Sequence, residues 1–133
     1  GKYYLYPANF TADDSGQGAL AANATRFYSL RVDADSDFLV TGISVVSDAA
    51  VTLQTLSDDD SWYDTPLRSE LLGGSLIENP VAPLASGYRV FKLPAPRFIS
   101  AAGYIKTIAA NQVAAVNRVL VQYHGIRLYQ RRV

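Results

Sequence analysis

The chain has 133 residues, 49% hydrophobic and 18% charged, and a formal net charge of zero. This composition excludes a disordered chain, which would carry more charge and fewer aromatic and β-branched residues, and it offers no bulk positive charge for nucleic acid. With no cysteine there is neither a disulfide framework nor a thiolate metal site, so packing and hydrogen bonds hold the fold, as suits a reducing cytosol.

The length suits one domain, residues 1–133, with short N- and C-terminal arms. Residues 2–6 form a short aromatic strand that Pro7 is expected to end, and small polar residues from Phe10 to Ala24 read as a loop, with one helical turn at 19–22. Residues 25–32 form the next strand, the aspartates at 33, 35 and 37 a polar connection, and residues 38–46 another strand. Alternation there places Phe38, Val40, Gly42 and Ser44 on one face and Leu39, Thr41, Ile43 and Val45 on the other. Residues 50–56 alternate Val51, Leu53 and Thr55 against Thr52, Gln54 and Leu56. An exposed loop, Asp58-Asp59-Asp60, leads into Trp62-Tyr63, and a strand is expected over 66–72 before Gly73-Gly74 breaks it.

Shorter strand-like pieces follow around Leu76-Ile77, Val81-Ala82 and residues 88–93. Their prolines (Pro80, Pro83, Pro94, Pro96) suit edges and corners, because proline cannot donate to a ladder. Two long alternating runs close the chain, 104–111 and 117–129, as either a terminal hairpin or a pair of sandwich strands. About eight strands without intervening helices predict an all-β fold, an antiparallel β-sandwich, with jelly-roll topology preferred over an immunoglobulin-like one.

Charge is unevenly spread. Ten aspartates stand against three basic residues up to Asp64, and two glutamates against nine basic residues after it. Interleaved strands would compensate these within the fold; alternatively, opposite-signed faces would guide one subunit against another.

Catalytic residues are sparse. His124 is the only histidine and reads as a structural strand residue, and no nucleophile–base pair can be named, so no enzyme is expected. Asp33-x-Asp35-x-Asp37 has the alternate spacing of a calcium loop, but lacks the glycine at its sixth position and the glutamate at its twelfth, where Ser44 stands. It reads as a solvated turn, and no metal or cofactor is expected. Nine tyrosines, five phenylalanines and one tryptophan suggest a protein interface, since such side chains dominate buried contacts. Trp62 either anchors that interface or folds back as a core plug. No apolar run is long enough to span a bilayer, and residues 1–7 lack the apolar core of a signal peptide, so a soluble protein outside the usual secretory route is expected. Gly1 reads equally as the residue exposed by methionine trimming, a tag remnant or a cleavage product.

Tyr3-Tyr4, Gly42-Ile43, Gly73-Gly74, Leu93-Pro94-x-Pro96-x-Phe98, Asn117 and the closing His124-Gly125-Ile126-Arg127-Leu128-Tyr129 together resemble small virion proteins of tailed bacteriophages. The resemblance is nearest to capsid decoration, or cement, proteins with a jelly-roll fold. It implies a homo-oligomeric structural protein on the outer virion surface, made in the host cytoplasm, that binds the phage major capsid protein and involves neither nucleic acid nor membrane. The expected interface residues are Tyr3, Tyr4 and Tyr6, the loop residues Asp58, Asp59, Asp60, Trp62 and Tyr63, and Arg131 and Arg132 at the basic end. Alternatives are a phage tail or baseplate component, or a carbohydrate-binding jelly-roll module in which Trp62 and Tyr63 stack on a pyranose ring.

Overall fold

A computed structural model describes residues 3–13, 18–58, 60–69, 75–76 and 90–130. Among the described residues ten strands occur in chain order: β1 (Tyr3–Asp13), β2 (Thr25–Arg31), β3 (Asp37–Ser47), β4 (Val51–Ser57), β5 (Asp60–Ser61), β6 (Leu67–Arg68), β7 (Ser75–Leu76), β8 (Phe91–Ile99), β9 (Tyr104–Asn111) and β10 (Val119–Gln130). They form two sheets. The first runs β1-β10-β3, with β8 and the two-residue β7 both on the far edge of β3; the second runs β2-β9-β4, with β5 and β6 sharing the far edge of β4. Every pairing is antiparallel except β3 with β7. Successive long strands thus alternate between sheets in jelly-roll order.

The two closing runs are therefore sandwich strands and not a hairpin: β9 lies at the centre of the second sheet and β10 inside the first. Pro7 does not end β1. The strand continues through it to Asp13, opposite β10, because an edge strand tolerates a missing N–H. Phe10 is accordingly a buried core residue and not part of a loop. Residues 19–22 form no helical turn; Leu20 instead makes an isolated bridge to Asn117. Of the strand expected over 66–72, Leu67–Arg68 are paired with β4, and residues 70–72 lie outside the described residues. Of the shorter pieces expected around Leu76-Ile77 and over 88–93, Leu76 lies in β7 and Phe91, Lys92 and Leu93 in β8; Ile77, Val81-Ala82, Tyr88 and the Gly73-Gly74 break lie outside the described residues.

The core is one cluster between the sheets, with Phe38, Val40, Ile43, Val45, Val121 and Tyr123 from the first and Tyr28, Val51, Leu53, Ile105 and Ala109 from the second. Each fully buried Val, Leu or Ile contributes about 1.5–3 kcal/mol by leaving water. Simple alternation misassigns half of β3. His124 pairs with Gly42 and Gly125 with Val40, so Thr41 is an extra, bulged residue. The bulge changes parity, and Phe38 and Val40 share the core face with Ile43 and Val45. On the far side, β8 pairs Lys92 with Gly42 and Arg97 with Val40, leaving residues 93–96 and their two prolines outside the ladder.

One polar link crosses the core. The hydroxyl of Tyr123 on β10 lies 3.1 Å from Thr55 Oγ1 on β4 and also hydrogen-bonds Thr107 Oγ1 on β9, while the Tyr63 hydroxyl lies 3.1 Å from Thr55 Oγ1. Burial pushes the Tyr63 phenol up from 10.0 to about 12, opposed by its bond to Thr55, and pushes Tyr123 up for the same reason. A tyrosine that binds its proton more tightly when folded stabilises the fold fully below the unfolded value and loses that contribution as pH rises through the folded one. Stability is thus expected to fall between pH 10 and pH 12, and Tyr63→Phe to flatten that fall, as denaturant titrations across this range will measure.

Acidic and basic halves meet within the fold. Arg118 Nη2 meets Asp48 Oδ1 at 2.7 Å, and Arg127 Nη2 meets Asp33 Oδ2 at 2.7 Å. The Arg118 hydrogen bonds hold the Asp48 carboxyl below its usual range.

Candidate functional site

Links 32–36 and 100–103 both pass between the sheets at one end of the sandwich, joining β2 to β3 and β8 to β9. The chain register brings most of the predicted interface residues to this end. Tyr3, Tyr4 and Tyr6 pair with Gln130, Tyr129 and Arg127, so these tyrosines belong to a strand and not to an arm. Leu56 pairs with Lys106, two residues from the start of β9, which brings the Asp58 turn to the same end. Asp58 and Asp60 are exposed, and Asp59, Arg131 and Arg132 lie outside the described residues.

Trp62 takes the core-plug position. Its side chain is buried, its indole N–H donates to Ser57 Oγ at 2.8 Å, and its ring meets Tyr123 edge-on at 5.6 Å. Arg97 closes over it, donating to the Trp62 carbonyl at 3.2 Å. Neither partner docking nor pyranose stacking can use this buried indole, which corrects both expectations for Trp62. Tyr63 is half-buried, with its hydroxyl in the internal link. Sequence alone does not separate the two positions, because a tryptophan after a charged loop is compatible with either.

Two of the three aspartates, Asp33 and Asp37, serve the links. Asp33 pairs with Arg127, whose guanidinium also lies 4.8 Å from the Phe10 ring, and Asp37 Oδ1 accepts from the Ala101 N–H at 2.9 Å. Among the described residues, no three acidic or histidine side chains converge to hold a metal. His124 Nε2 shares a 2.6 Å hydrogen bond with the hydroxyl of Ser44, which is buried on the outer face of the first sheet, and burial lowers the histidine pKa. A sealed hydroxyl of this kind offers a substrate no approach and reads as structural.

Two surfaces escaped the sequence reading. On the outer face of the first sheet, the ladder aligns Ile126, Leu39 and Phe98 in one cross-strand row, and Phe98 is 54% exposed. On the outer face of the second sheet, Ser29, Lys106 and Leu56 form a row beside the Arg31–Tyr104 pair. Here a recess of about 390 Å³ is lined by Ser29, Leu56, Asp58, Gly103, Tyr104 and Lys106. The positive φ of Asp58, 50°, turns the chain at its rim. These residues come from separate strands, and only the pairing register brings them together.

No family model and no curated protein matches the chain. Among solved structures, dimeric latent PorU from Porphyromonas gingivalis is similar over 95% of this chain and 13% of that one, at 12% identity and a TM-score of 0.39. So loose a likeness carries no argument about function.

Proposed function

We propose that this chain is a structural virion protein of a tailed phage, a decoration or cement protein that sits on the outside of the head and bridges major capsid subunits. The resemblance of its sequence to such proteins suggests the class. The observation that carries the reading into geometry is the Ile126–Leu39–Phe98 row, which leaves a large aromatic 54% exposed on the outer face of the sheet. Exposed apolar surface on an ordered sheet marks a contact site, and the edge strand β1 with its paired tyrosines borders this face. A rigid sandwich repeated by shell symmetry would add many weak contacts through avidity.

The test is stoichiometry. In purified particles, copies equal to the major capsid protein or to a simple fraction of it are the expected result; a handful per particle would move the protein to the tail or baseplate. Phe98→Asp should leave the fold intact, because the ring is mostly solvated, and weaken binding to empty capsids at least about tenfold. Unchanged capsid occupancy by a folded Phe98→Asp protein would remove this face from the interface.

A further inference from the structure

We propose that the recess on the outer face of the second sheet is a saccharide-binding site. This does not rest on the capsid reading, since the recess lies on the opposite sheet from the Phe98 row. The size, about 390 Å³, falls within the range of small-ligand sites. Its lining supplies three kinds of contact. Tyr104, 52% exposed, offers an aromatic surface, and Leu56 extends the apolar floor. Asp58 offers a carboxylate acceptor, and Lys106 and Ser29 offer donors. Among the described residues, none of these three polar side chains is engaged in a hydrogen bond or ion pair with the rest of the chain.

The combination selects the ligand class. A phosphate or other strong anion would meet the Asp58 carboxylate, and a cation would meet the Lys106 ammonium. A purely apolar ligand would strip water from both charges without replacing their hydrogen bonds. A neutral polyhydroxylated ring satisfies every wall. Its C–H face packs on Tyr104 and Leu56, adjacent hydroxyls donate to Asp58, and their oxygens accept from Lys106 and Ser29. Tyrosine suits this use because its ring is broad, stiff and amphipathic.

Amide chemical-shift titration of the whole, isotopically labelled chain provides the test, with glucose, galactose, mannose and N-acetylglucosamine as separate probes. At least one sugar should give saturable shifts concentrated at Ser29, Leu56, Gly103, Tyr104 and Lys106. Tyr104→Ala should then weaken binding about tenfold or more, and Asp58→Asn should weaken it as well, whereas Phe27→Ala, exposed on the same sheet face but outside the recess lining, should not. If Tyr104→Ala loses its dispersed spectrum, Asp58→Asn alone decides, since that side chain is exposed. No saturable shift with any of the sugars, shifts centred elsewhere, or wild-type affinity in the folded variants would each overturn the proposal.

Discussion

Gly125→Ala is expected to destabilise the protein by about 3 kcal/mol or more, near the upper end of what a single added methyl costs in a packed interior. Gly125 sits on the core-facing side of β10 beside the Thr41 bulge. A Cβ there would lie 2.0 Å from the Leu39 carbonyl oxygen, 2.9 Å from its carbon and 2.9 Å from Phe38 Cε1. Two of the three obstacles are backbone, so relief requires β3 and β10 to separate where the sheet is bulged. Equilibrium denaturation should show a lower midpoint. A midpoint within error of the parent would mean that β3 and β10 part at this point at little cost.

Asn117→Ala should cost about 2–4 kcal/mol, since it removes a buried amide and orphans the groups it serves. Asn117 is fully buried; its Nδ2 donates to Ala49 O at 2.9 Å and to Asn111 Oδ1 at 3.2 Å, and its Oδ1 accepts from Ala49 N at 3.1 Å. Asn111 carries the network onward, donating to Ala21 O at 3.0 Å and Ala115 O at 2.8 Å and accepting from Val113 N at 3.2 Å. Three irregular segments, around 20–24, 47–50 and 112–118, are thus tied together at the end of the sandwich remote from Asp58. Hydrogen exchange should locate the damage: protection lost first at Leu20, Ala49 and Val113 supports the knot, whereas uniform loss across both sheets would argue against a local role.

The sandwich was legible because its central strands are half-buried on a period of two. In β4 the structure keeps the faces that alternation assigns, with Val51, Leu53 and Thr55 buried and Thr52, Gln54 and Leu56 less so, and in β9 every second residue is buried. Reading failed where the period breaks or where pairing overrides a local signal. Thr41 is one residue too many for its ladder, and nothing in the composition of 38–46 marks it. Pro7 looks like a terminator until β1 is known to be an edge strand, and Ala19–Ala22 favours a helix only while the Leu20–Asn117 bridge is unknown. The recess was harder still. Ser29, Leu56 and Tyr104 are unremarkable on their own strands, and their proximity depends on the registers of β2 and β4 against β9.

The place of β10 between β1 and β3 has a consequence for synthesis. Vectorial translation exposes β1 long before β10, its neighbour in the sheet among the described residues, has been made. β1 must wait, as an eleven-residue ribbon that is uncharged from Tyr3 to Ala12 and ends on Asp13, for residues more than a hundred positions downstream. Until the ribosome has delivered them, that ribbon is a template for wrong partners, and pairing with β10 removes the hazard.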